Sequence, residues 1–109
     1  IRQEKISGLI KKELALLFQE VGMRQYDGAM VSVTVVRVSP DLGVAKVYLS
    51  LFTQKDKNDI LELVKKDTLW YKNELAKRVK TQLRKVPNLV FYIDDSLDRA
   101  EEIDRLLGK

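Results

Sequence analysis

Apolar residues recur every three or four positions at the start of the chain and every second position further on, so a helix is expected first and strands after it. Ile6, Leu9, Ile10, Leu14, Leu17, Phe18 and Val21 line one face of an amphipathic helix from about Arg2 to Val21. Gly22 suits its C-cap, and residues 22 to 29, with Asp27-Gly28, read as a connecting loop. Residues 31 to 50, VSVTVVRVSPDLGVAKVYLS, then form two alternating runs that meet at Ser39-Pro40-Asp41-Leu42-Gly43, the pattern of a β-hairpin. Pro40 and Asp41 suit the central positions of a type I turn, and Gly43 is the expected left-handed residue. In the second run Ala45, Val47, Leu49 and Leu51 share a face opposite Lys46, Tyr48 and Ser50. In the first, Val31, Val33 and Val35 share a face, but the parity changes at Val36 and Val38, which predicts a bulge or burial on both sides.

A second helical pattern follows the polar stretch Thr53 to Asn58, with Ile60, Leu61, Leu63 and Val64 as its apolar positions and Asn58 or Asp59 as N-cap. A further helix is expected to run to about Lys85, with Leu75, Val79, Leu83 and Val86 as its stripe and Thr68 and Ala76 nearby. At about 100° per residue Lys77, Arg78, Lys80, Arg84 and Lys85 project to the other side. Lys72 falls among the apolar positions, so the segment is either kinked before Lys72 or divided near Asp67-Thr68-Leu69. Pro87-Asn88 ends it, and Leu89, Phe91 and Ile93 alternate with Val90 and Tyr92 as a third strand. The helical connection is long enough for a crossover. Ser96 is placed to cap a short C-terminal helix at about 96–107, with Asp98, Glu101 and Glu102 in its first turn.

Composition removes several function classes. In 109 residues there is no cysteine and no histidine, which excludes disulfides, thiolate metal sites and a cysteine nucleophile, and removes the commonest general base near neutral pH. No phosphate loop, nucleophile elbow or zinc spacing is present, so neither a catalytic residue, a metal nor a cofactor is assigned. Asp94-Asp95 reads as a turn beside the Ser96 cap, because adjacent strand-end residues point to opposite faces and share an ion poorly. No apolar run approaches the roughly 18 residues that span a bilayer, and no signal-peptide pattern opens the chain, so no membrane partner and a cytoplasmic location are expected.

The net charge of +4 is unevenly spread. Residues 65 to 86 carry eight basic side chains against Asp67 and Glu74, a balance of +6, whereas residues 94 to 109 have six acids against Arg99, Arg105 and Lys109, a balance of −3. Localised positive charge favours a face for polyanions. Trp70, Tyr71, Phe91 and Tyr92 read as core or rim residues rather than base platforms.

The residues Val33-Thr34, Val38-Ser39-Pro40-Asp41-Leu42, Ala45-Lys46-Val47-Tyr48, Glu74-Leu75, Arg78, Arg84-Lys85-Val86-Pro87-Asn88-Leu89-Val90-Phe91 and Asp94-Asp95-Ser96, in this order and spacing, resemble the ribosome-binding factor A family over nearly the whole chain. The resemblance implies an α+β fold: a single type II KH-like domain over residues 1–109, of order α-β-β-α-α-β plus a short C-terminal helix. It has a three-stranded sheet with helices packed on one face. It further implies a non-enzymatic factor that binds the small (30S) ribosomal subunit and 16S rRNA precursor during late maturation and end processing, and an association with growth in the cold. No small-molecule substrate is expected, and the free protein is expected to be a monomer. The family's Ala-x-Gly kink between the central helices is replaced here by Asp67-Thr68-Leu69. Without glycine, and with a carboxylate that repels anions, phosphate binding by that backbone is not carried over.

The expected RNA contacts are Lys72, Lys77, Arg78, Lys80, Arg84 and Lys85 on the basic helix, Lys65 and Lys66 at the kink, and Arg37 and Lys46 on the hairpin. Two alternatives remain: a KH-type binder of single-stranded RNA without a ribosomal role, and a protein-interaction module that uses the acidic terminal helix or a strand edge.

Overall fold

The computed structural model describes residues 2–94, so the expected C-terminal helix lies outside the described residues. Helix α1 (Arg2–Val21) leads through a 3-10 turn at Met23–Tyr26 to strands β1 (Met30–Val38) and β2 (Val44–Phe52). Helices α2 (Lys57–Lys66) and α3 (Thr68–Val79) and strand β3 (Asn88–Ile93) follow. This is the α-β-β-α-α-β order that the resemblance implies. The sheet order is β1-β2-β3, with β1 antiparallel and β3 parallel to β2. The α2–α3 connection is therefore the crossover.

The helices cover one face of the sheet. Ile10, Leu14, Leu17 and Phe18 of α1, Ile60 and Val64 of α2, and Tyr71, Leu75 and Val79 of α3 are buried with Ala45, Val47, Leu49 and Leu51 of β2 and with Leu89 and Phe91 of β3. Aromatic rings join the layers: Phe18 stacks on Tyr71 at 4.5 Å, and Phe91 meets both edge-on at 6.1 and 5.9 Å. Among the described residues no helix covers the opposite sheet face, where Val35, Val90 and Tyr92 are exposed.

β1 carries the predicted bulge. Val33 pairs with Leu49 and Val35 with Tyr48, so Thr34 is the extra residue. Val33 and Val36 are buried and Val35 is exposed, which removes Val35 from the face expected for Val31 and Val33. Burying one such side chain contributes roughly 1.5–3 kcal/mol, whereas a ladder hydrogen bond is worth about 0.5–1.5 kcal/mol net. Keeping both valines inside outweighs the interrupted ladder. The Thr34 hydroxyl donates to the Asp94 carboxylate, and the Asp94 N–H donates to the Leu49 carbonyl at 2.7 Å, fixing the bulge to the end of β3. Asp94 thus holds the sheet together, and its neighbour Asp95 lies outside the described residues.

Three boundaries differ from expectation. The cap of α2 is Asp56, whose carboxylate accepts from the Asn58 N–H at 2.7 Å, not Asn58 or Asp59. The helix expected to reach Lys85 ends at Val79, whose carbonyl accepts from both Gln82 and Leu83 at 2.8 Å, so the chain turns there. In the hairpin, the Leu42 N–H donates to the Ser39 carbonyl at 2.9 Å, as a turn with Pro40 and Asp41 at its centre requires. The left-handed residue is Leu42 (φ 60°), however, and not Gly43. A Cβ at Gly43 would stand 3.2 Å from Asp41 Oδ1, close enough that the Asp41 carboxylate would have to shift by a few tenths of an ångström. Gly22 does take the left-handed conformation (φ 76°) and closes α1 by donating to the Phe18 carbonyl.

Candidate nucleic-acid interface

The expected cations do not lie on one helix face. Arg78 is held against α1, 3.5 Å from Glu13 and 2.5 Å from Glu20, and its guanidinium pKa is raised chiefly by the Glu20 hydrogen bond. Lys77 bonds Glu74 at 2.9 Å. Lys72, which fell among the apolar positions, is half-buried and donates to the Asn88 side chain at 2.6 Å, bracing α3 against the start of β3. Lys80 is the exposed C-cap of α3. On α3, then, Arg78 and Lys72 serve the fold.

Arg84 and Lys85 are exposed but lie beyond the helix, in the turn that leads to β3. With Lys5, Ile6, Asp41, Leu42 and Leu83 they line a groove of about 480 Å³ between α1 and the hairpin turn. The Asn88 N–H donates to the Gly43 carbonyl at 2.9 Å, tying this segment to the turn. Asp41 is built into the same end: its carboxylate accepts from the Ser39 hydroxyl at 2.7 Å and from the Gly43 N–H at 2.9 Å. The Ser39 hydroxyl, the Gly43 N–H and the nearby Lys85 charge hold its pKa below the usual carboxylate value. Sequence reasoning missed Lys5, whose place in the amphipathic pattern carried no sign of the groove.

Arg37 and Lys46 sit around the same turn, on the open face of the sheet. They are directly opposed across β1 and β2, and both are exposed. Like charges in opposed positions destabilise a sheet, and among the described residues neither forms an ion pair. A row of Val35, Tyr48 and Tyr92 continues this face, with the two tyrosine rings stacked at 5.4 Å. The hairpin end thus joins Arg37 and Lys46 on the sheet face to Lys5, Arg84 and Lys85 in the groove.

The junction of α2 and α3 has different chemistry. The helices are separate, as one of the two expectations had it, because Asp67 (φ −97°, ψ 11°) leaves the helical range. Its carboxylate does not cap α3 but accepts from the Tyr26 hydroxyl at 3.0 Å and the Gln25 amide at 3.3 Å. Tyr26 also shares a hydrogen bond with Tyr71. Burial pushes both phenols up, Tyr71 to about 12. Thr68 donates to the Lys65 carbonyl, and Leu69 is exposed. Lys65 lies 3.9 Å from Glu62, and Lys66 is exposed. Among the described residues no cluster of three or more His, Cys, Asp or Glu could hold a metal ion.

These features define a small α+β binding domain with one helical layer, an open sheet face and basic groups gathered at one end. The ribosome-binding factor A family model matches residues 2–107, and the chain belongs to that family. Ribosome-binding factor A of Flavobacterium psychrophilum is 50% identical over 108 residues, covering 98% of this chain and 83% of its own length. The crystal structure of ribosome-binding factor A from Thermus thermophilus superposes with a TM-score of 0.71 at 24% identity, covering 84% of this chain and 94% of its own. A homology model of the Thermus thermophilus factor, fitted into the electron cryo-microscopy map of a 30S complex with it, gives a TM-score of 0.62 at 26% identity. That superposition covers 77% of this chain and 86% of the fitted one.

Proposed function

We propose that this protein binds the small ribosomal subunit through 16S rRNA and assists late subunit maturation and rRNA end processing without catalysing a reaction. The observation that carries the reading is the opposed pair Arg37 and Lys46, two exposed cations without an ion-pair partner among the described residues, next to Arg84, Lys85 and Lys5. Phosphates supply the missing counter-charge, and such contacts position a protein on RNA without reading bases. Ribosomal shape then provides specificity. Membership of the family and the Thermus thermophilus factor placed in a 30S complex support the choice of partner. Lys80, Lys65 and Lys66 extend the contact, and the protein acts as a single cytoplasmic RNA-binding domain that is monomeric when free. Among the described residues no helix is long and apolar enough to cross a membrane.

The test is binding of the 109-residue chain to isolated small subunits, with unrelated single-stranded RNA as competitor. Arg37→Glu with Lys46→Glu should weaken subunit binding by more than about tenfold and flatten its salt dependence by about two units of slope. Equal affinity for subunit and competitor would instead make the protein a general single-stranded RNA binder. Full affinity in the double variant would leave an interaction with ribosomal protein as the better reading.

A further inference from the structure

The junction of α2 and α3 holds a second concave site, separate from the hairpin end. Val21, Gln25, Asp67, Trp70 and Tyr71 line a cleft of about 340 Å³, near the lower limit for ligand pockets and suited to one extended side chain rather than a cofactor. Its carboxylate is fixed: Oδ2 of Asp67 accepts from Tyr26 and Gln25, while Oδ1 carries no hydrogen bond among the described residues. Its aromatic wall is accessible. Trp70 is 46% exposed and meets Tyr71 at 82°, so at least one indole face stays clear of Tyr71.

We propose that the Asp67–Trp70 cleft binds an arginine side chain of a protein partner. A guanidinium satisfies both walls at once, donating to the carboxylate and lying over the indole face, where the ring quadrupole attracts it. Phosphate is disfavoured, because among the described side chains the only charged group lining the cleft is Asp67. Exposed Leu69, 68% accessible, supplies an apolar contact for the backbone around that arginine. Where the family resemblance places a glycine-containing kink, this chain has an anionic and aromatic receptor. The reading does not depend on the RNA interface, which uses other residues.

Trp70 is the single tryptophan of the chain, so its fluorescence reports on the cleft directly. The 109-residue protein is titrated with acetyl-Gly-Arg-Gly-amide, with acetyl-Gly-Gln-Gly-amide and with oligouridylate. The arginine peptide should give a saturable change that the glutamine peptide does not, and Asp67→Asn, which keeps an acceptor for Tyr26 and Gln25, should weaken it at least tenfold. An equal response to the glutamine peptide, undiminished binding by Asp67→Asn, or a response to oligouridylate that the arginine peptide fails to displace would each overturn the proposal. Should circular dichroism show that Asp67→Asn has lost its fold, Trp70→Leu is used with the Gln25 side-chain amide resonances as readout. At least fivefold weaker peptide binding supports the cleft, and unchanged affinity refutes it.

Discussion

Each basic side chain of α3 and each around the hairpin turn counts as one positive charge in the sequence, yet their surroundings differ in kind. Arg78 spends its charge on Glu13 and Glu20 of another helix, and Lys77 on Glu74 of its own. Arg37 stands opposite another cation, Lys46, across the strand pair and forms no ion pair among the described residues. A helix face can be positive in sequence and largely neutralised in the fold, because its counter-charges arrive from elements distant in the chain. What recruits a polyanion is the charge left over after folding.

The largest effect should come from removing that surplus. Reversing Arg37, Lys46, Arg84 and Lys85 together should cost on the order of a hundredfold in small-subunit affinity and flatten its salt dependence by roughly one unit of slope for each phosphate no longer neutralised, with no change in the circular dichroism spectrum. A comparable loss from reversing only Lys77 and Lys80 would return the interface to α3. Next in size is an effect on the other side of α3. The Tyr26 and Tyr71 phenols are held neutral in the fold, so their contribution is complete below the ordinary tyrosine value of 10.0 and is lost as pH rises towards about 12. Alkaline titration followed by tyrosinate absorbance should show these two ionising only as the fold opens, together with the loss of circular dichroism. Arg78→Ala comes third: the thermal midpoint should fall by a few degrees, with subunit affinity unchanged within about twofold, the reverse of the hairpin variants. The smallest effect is that of Lys77→Ala: the Lys77 side chain is 73% exposed, so losing its ion pair with Glu74 should leave both midpoint and affinity unmoved.

Local patterns made most of the scaffold legible. Alternation gave β2 in full, since Ala45, Val47, Leu49 and Leu51 are all buried, and the parity change in β1 marked the bulge at Thr34. The Lys72 phase break marked the division at Asp67, although the cause, capture of the Asp67 carboxylate by Tyr26 and Gln25, joins residues more than forty positions apart. Helix ends were less legible, because Asp56 outcompetes its neighbours as a cap by geometry and Val79 ends α3 well before Pro87 intervenes. The site was least legible. Arg78 and Arg84 look alike in the sequence, and only the packing of α1 against α3 shows that one is paired while the other lines the groove at the hairpin turn.

The bulge at Thr34 also bears on the order in which this protein is assembled. Without it, strict alternation from Val33 would turn Val35 and Arg37 inward together, and one slip of register would exchange the two faces for the rest of β1. The residue that holds the bulge, Asp94, follows Thr34 by 60 positions, so the hairpin is synthesised before its clamp. Before β3 docks, the register is set locally by the turn, where the Ser39 N–H donates to the Val44 carbonyl at 2.9 Å, and Arg37 opposes Lys46 within that turn-proximal half. What the Asp94 clamp adds on docking is the far half of the strand, where Val33 pairs with Leu49 beyond the bulge.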